Sequence, residues 1–219
     1  MLDEAPRIRR HDWERPPADR VAALAGTPTG FVVDALGGSG ALDHRVKPVL
    51  AGRTAFCGVA LTCDNGPADN LALCEALASV RPGDVLVAAT GGHTGCAVTG
   101  DLVLAMARNG GAVGFVTDGC VRDLPGLRAV ALPVFCVGVT PNSPARSGPG
   151  SVGAPVVVAG ARVASGDVVV ADEDGVVVVP RERLDEVLAR LPAIRAAEAE
   201  MDRRVRDEGL RVPPFLPRP

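Results

Sequence analysis

Apolar positions along the chain recur at two spacings, and each predicts a different kind of element. Leu184, Val187, Leu188 and Leu191 fall on one stripe of 3.6-residue period, which predicts a helix ending at Pro192. Residues 194–208 continue as a second, more charged amphipathic helix that stops at Gly209. Residues 71–80 predict a helix with Asp69-Asn70 as its N-cap. Two shorter helices are expected over 19–25 and 29–36, the second ended by Gly37-Gly38-Ser39-Gly40. Elsewhere the apolar residues alternate or run in short blocks: 54–63, 85–89, 112–117, 134–139, 156–158, 168–171 and 176–179 read as strands. Asp172-Glu173-Asp174-Gly175 has the composition of a hairpin turn. Helical segments alternate with groups of strands, so the expected fold class is α/β.

The most informative stretch is 91–127. It opens with the glycine-rich loop Gly91-Gly92-His93-Thr94-Gly95 and enters an apolar run after Thr99-Gly100-Asp101. Arg108-Asn109-Gly110-Gly111 reads as a helix stop. A helix over 101–108 is roughly 12 Å long. A strand over 113–117 is about 16 Å long, so after the glycine turn its end returns beside the helix start. Arg122 and Asp123 are therefore expected next to the backbone N–H groups of Leu102 and Val103. Those N–H groups favour an anion, Arg122 offers a planar fork for a carboxylate, and Asp123 offers a hard oxygen to Mg2+ or Mn2+. A carboxylate clamp beside a divalent-metal ligand suits a 2-oxo acid. His93 is open to two readings, a proton relay or substrate contact and an ordinary loop histidine; the second is preferred.

Composition narrows the chemistry. The 219 residues, 47% hydrophobic and 22% charged, suit one folded domain. A net charge of -3 with no tyrosine gives neither a basic footprint nor stacking platforms, so nucleic acid is not an expected partner. The first residues lack the apolar segment of a secretory signal, and no apolar run reaches the ~20 residues of a membrane span. A soluble cytoplasmic protein is expected, with no membrane partner. The six cysteines show no C-x2-C pair and read as buried reduced thiols. Lys47 is the sole lysine and lies in a charged segment, which argues against a Schiff-base aldolase and for metal stabilisation of any enolate.

Gly100-Asp101, twenty intervening residues and Arg122-Asp123 resemble the acidic-x20-Arg-Asp motif of the RraA-like family. That family holds class II 4-hydroxy-4-methyl-2-oxoglutarate / 4-carboxy-4-hydroxy-2-oxoadipate aldolases and protein regulators of ribonuclease E. The likeness extends through Asp69-Asn70, Arg81-Pro82-Gly83-Asp84-Val85, Pro133-Val134-Phe135, Thr140-Pro141, Gly148-Pro149-Gly150 and Gly166-Asp167, over residues 20–209. It implies a three-layer β/β/α sandwich related to the phosphohistidine swivelling domain, assembled as a homotrimer or homohexamer. The expected division is an N-terminal arm (1–19), a catalytic domain (20–191) and a C-terminal helix and tail (192–219) packed on a neighbouring subunit.

The resemblance further implies a lyase that releases pyruvate from a 2-oxo-4-hydroxy or 2-oxo-4-carboxy diacid, by retro-aldol cleavage or oxaloacetate-type decarboxylation. Asp123 would hold Mg2+ or Mn2+, and Arg122 with the N–H groups of Gly100, Asp101, Leu102 and Val103 would bind the 2-oxo acid. Asp101 would transfer the proton. Many relatives carry Glu where Asp101 stands. Glu198, or alternatively Glu200, would reach the adjacent subunit's site. The alternatives are a non-catalytic trimeric regulator and a biosynthetic lyase using the same site on another substrate.

Overall fold

In the computed structural model, residues 7–216 are described. The outermost parts of the expected N-terminal arm and C-terminal tail, residues 1–6 and 217–219, lie outside them. In chain order the strands are β1 (Ile8–Arg10), β2 (Lys47–Pro48), β3 (Phe56–Asp64), β4 (Asp84–Ala89), β5 (Ala97–Thr99), β6 (Gly114–Thr117) and β7 (Cys120–Val121). They continue as β8 (Val134–Cys136), β9 (Gly138–Val139), β10 (Gly150–Val152), β11 (Val156–Val158), β12 (Ala161–Val163), β13 (Val168–Asp172) and β14 (Gly175–Val179). The α-helices are α1 (Ala18–Ala22), α2 (Thr29–Ala35), α3 (Leu71–Ala76), α4 (Asp101–Asn109), α5 (Leu124–Val130) and α6 (Leu184–Arg206). The class is mixed α/β.

The main sheet runs β1-β10-β3-β4-β6-β8-β2, with β13 also on β3 and β14 on β13. Its centre, β3-β4-β6-β8, is parallel. Parallel neighbours need crossover connections, which α3, α4 and α5 supply. Strand parity divides the core. Leu61, Leu86 and Phe115 face Leu73, Leu104 and Leu127 of those helices. Ala60, Val85, Val87 and Val116 point the other way, onto Val156, Val158, Val163, Val169 and Val178. The reverse side of β13 and β14 (Val168, Val170, Val177, Val179) packs on Val32 of α2 and on Leu184, Val187 and Leu191 of α6.

Three expectations change. The two C-terminal helices are one, because α6 runs through Pro192. The proline lies on the exposed side of that helix, where the absent N–H removes one helical bond without burying an unpaired group. Part of the expected arm is a sheet edge: Ile8, Arg9 and Arg10 pair in parallel with Gly150, Ser151 and Val152. The block 134–139 is two strands in different sheets, since β8 pairs with β6 and β9 with β7. The hairpin at 172–175 forms as expected, with Asp172 paired to Gly175.

Candidate functional site

The start of α4 lies beyond the C-terminal ends of the central parallel strands, the usual place for a crevice in an α/β sheet. The chain reaches it through β4, the glycine-rich loop and β5. α4 ends at Asn109, and Gly111 (φ +98°) turns the chain against Pro82, where a Cβ would sit 2.7 Å from the Pro82 Cα. β6 then runs back beside β4, and β7 pairs with β5, so Arg122 emerges next to Thr99. The Arg122 N–H donates to the Thr99 carbonyl at 3.1 Å.

Gly100, Arg122 and Asp123 meet there. Any side chain at position 100 would place its Cβ 2.2 Å from Asp123 Oδ2 and 3.2 Å from Arg122 Cγ. The backbone at 100 is extended (φ -137°) and open to any residue, so glycine there leaves space, and any other residue would have to displace the Asp123 carboxylate. Asp123 adopts the left-handed conformation (φ 63°, ψ 46°) and caps α5 by its backbone, the Leu127 N–H donating to the Asp123 carbonyl at 2.9 Å. A left-handed non-glycine residue carries about 1 kcal/mol of strain and is most frequent at functional sites. Arg122 Nε lies 3.2 Å from Asp123 Oδ2, and both side chains are partly exposed, at 33% and 45%.

Asp101 opens α4, and its Oδ1 accepts from the Leu102 N–H at 2.7 Å. This corrects the expectation that the Leu102 N–H stands free for a ligand: the neighbouring short carboxylate takes it. The Val103 N–H has no acceptor among the described residues. Leu102 itself is 71% exposed and Met106, one turn on, 57%. Glu198 is exposed on the far half of α6, and nothing in the chain brings it to Arg122. Glu200 is held by Arg203 at 2.9 Å, a hydrogen bond that lowers its carboxyl below the usual range, so Glu198 is the uncommitted acid of the two. The His93 ring folds back on its own loop, within 2.9 Å of the Cβ position of Gly95.

Several supporting residues take roles that the structure defines. Asp118 is a buried carboxylate that accepts from the Thr90 N–H (2.7 Å), the Thr90 hydroxyl (2.9 Å) and the Gly92 N–H (2.9 Å). It therefore holds the glycine-rich loop in place. Asn70 was expected to cap α3, but its side chain donates to the Val98 carbonyl in β5 at 2.9 Å. Asp69 takes the capping role at the Leu71 N–H (2.8 Å) and also accepts from Ser147 (2.7 Å) and Gly148 (3.1 Å). The 140–153 loop is thereby tied down at Ser147 and Gly148, and from it the Ser143 hydroxyl accepts from Arg122 Nη1. A turn-forming Asp-Gly that comes after a glycine-rich loop in need of an acceptor is a signal that could have identified Asp118. Ser143 could not have been found, because its partner is 21 residues away.

Lys47 is exposed and donates to the Asp174 carbonyl, unlike the buried, deprotonated amine a Schiff base requires. Burial pushes the Cys63 thiol up to about 12 and the Cys57 and Cys136 thiols up to about 11, so these three stay protonated near neutral pH. Among the described residues no helix is long and apolar enough to cross a membrane.

The model of the RraA-like family (Aldolase/RraA) matches residues 29–178. The chain is 33% identical over 198 residues to a Halalkalibacterium halodurans protein provisionally named 4-hydroxy-4-methyl-2-oxoglutarate aldolase, covering 90% of this chain and 94% of that one. Its fold matches an uncharacterised Pseudomonas syringae protein with a TM-score of 0.80 at 26% identity, covering 92% and 94% of the two chains. It also matches Streptomyces coelicolor RraAS2, described as an unusual member of the RNase ES inhibitor RraA family, with a TM-score of 0.77 at 31% identity over 89% and 100%. The matched segment includes Gly100, Asp101, Arg122 and Asp123, and the chain belongs to the RraA-like family.

Proposed function

We propose that this site cleaves a 2-oxo-4-hydroxy or 2-oxo-4-carboxy diacid to pyruvate with the help of Mg2+ or Mn2+. One observation carries the reading: Arg122 and Asp123 sit against Gly100 at the start of α4, with the Arg122 guanidinium 3.2 Å from the Asp123 carboxylate. A single carboxylate from the chain is a donor set that Mg2+ can use, since it takes one or two carboxylates and fills its remaining positions with water and substrate oxygens. Asp123, half exposed and held only by Arg122, is the ligand. When bound, the ion supplies Lewis-acid polarisation of the 2-oxo group.

The chain's own residues do the rest. Arg122 Nη1 and Nη2 bind the 2-oxo acid end, and the fixed guanidinium stabilises negative charge developing on the enolate oxygen. The Val103 N–H contributes to holding the carboxylate. Asp101 accepts the proton of the C4 hydroxyl as the C3–C4 bond breaks and returns a proton to C3 of the enolate. In a homotrimer or homohexamer, Glu198 of a neighbour would complete the site, since α6 from Arg195 to Glu200 is exposed.

Pyruvate release from oxaloacetate and from 4-hydroxy-4-methyl-2-oxoglutarate, followed with lactate dehydrogenase, tests the proposal. Activity is expected with Mg2+ and is expected to vanish with EDTA. Pyruvate release that persists in EDTA, or in Asp123→Ala, defeats the metal mechanism. The likeness to RraAS2 favours a second reading, a non-catalytic regulator of a ribonuclease-type partner. Calorimetry with Mg2+ and oxalate separates the two, because a regulator has no need of metal-dependent oxalate binding.

A further inference from the structure

A second glycine at the site, Gly126, marks another contact that no side chain permits. It lies in the first turn of α5, three residues after Asp123. A Cβ at 126 would fall 1.9 Å from Asp101 Oδ2, 2.5 Å from Cγ and 2.6 Å from Cβ. The carboxylate could rotate away from such a clash. The Asp101 Cβ cannot, because it is fixed to the α4 backbone. A methyl group at 126 would therefore force the starts of α4 and α5 apart.

Backbone conformation does not explain the residue. Gly126 is outside the left-handed region, and within a helix alanine is favoured over glycine by about 1 kcal/mol. Close approach explains it. The start of α4 carries Gly100 and Asp101, and the start of α5 carries Arg122 and Asp123 just ahead of it.

We infer that Gly126 is a positioning residue of this site: its missing side chain sets the distance between Asp101 and the Arg122-Asp123 pair. The inference rests on the reading of Asp101 as the proton-transfer group, and a double-mutant cycle can be read with or without that reading. The four proteins are wild type, Gly126→Ala, Asp101→Gly and the double variant. In urea denaturation, Gly126→Ala is expected to lower the midpoint in the wild-type background. In the Asp101→Gly background, where the clashing Cβ is gone, the same change is expected to be neutral or stabilising. Equal destabilisation in both backgrounds overturns the inference.

In the pyruvate-release assay, Gly126→Ala is expected to lower kcat roughly 10- to 100-fold with little change in KM, as a displaced proton-transfer group should. No further loss is expected on top of Asp101→Gly. A Gly126→Ala protein with full kcat overturns the positioning role. A wild-type protein that releases no pyruvate defeats the lyase reading alone, and the stability cycle then decides the contact.

Discussion

The two ends of β4 hold aspartates in opposite circumstances. At its start, Asp84 is fully buried, accepts from the Arg81 N–H at 2.8 Å and is paired with Arg15. Burial raises its carboxyl above the usual range, against the opposing pull of the Arg81 N–H and Arg15. Asp167, near the same end of the sheet, is raised by burial too, although it accepts from the N–H groups of Ala164 and Arg181. Past the other end of β4, Asp123 is half exposed, strained in the left-handed region and close to one cation. Acids of the first kind connect segments of chain. An acid of the second kind gains little for the fold from its position, as expected if it serves the proposed site.

Substitutions should separate the two kinds. The largest effect is expected for Asp123→Gly, which removes the proposed ligand and relieves the left-handed strain. Activity should fall roughly 10³-fold, while stability should rise by about 1 kcal/mol. Steady-state kinetics and urea denaturation on one preparation would show both, and a loss of stability would place Asp123 with the structural acids. Asp84→Ala should do the reverse. It leaves Arg15 without its partner and is expected to destabilise by about 2–3 kcal/mol, discounted because Arg15 is partly exposed. Metal-dependent oxalate binding measured well below the unfolding transition should be unchanged.

The smallest effect concerns Asp69, which belongs to both groups because it is buried yet braces the loop that reaches Arg122. Burial raises its carboxyl, but the N–H groups of Leu71, Ser147, Gly148 and Asn70 outweigh that and leave it below the ordinary value of 3.8. A lowered carboxyl stabilises the fold above the unfolded value, and that contribution is lost as pH falls from 3.8 through the folded value. Asp69→Asn should therefore flatten the acid limb of the stability curve below pH 3.8. An unchanged limb would mean that the loop ties contribute nothing to stability.

Much of this was legible in local pattern. The periods of α3 and α4, the strand blocks and the glycine-proline turns follow from side-chain alternation and φ preferences, which act over a few residues. The meeting of Gly100 with Arg122 and Asp123 was also readable, because a short helix, a tight turn and a short strand leave few places for the chain to return. The run through Pro192 was not. Whether a proline ends a helix depends on whether the freed carbonyl side is exposed, and that is decided by what the helix packs against.

The α/β class and the meeting of Gly100 with Arg122 and Asp123 were thus determined by the sequence itself, through short-range geometry. Tertiary structure alone decided that Asp69, Asp118 and Ser143 brace the site, and that Gly126 leaves room for Asp101. Each of these depends on distances of 2 to 3 Å between segments well separated in the chain. Residue pattern carries no information at that scale until the core has brought the segments together.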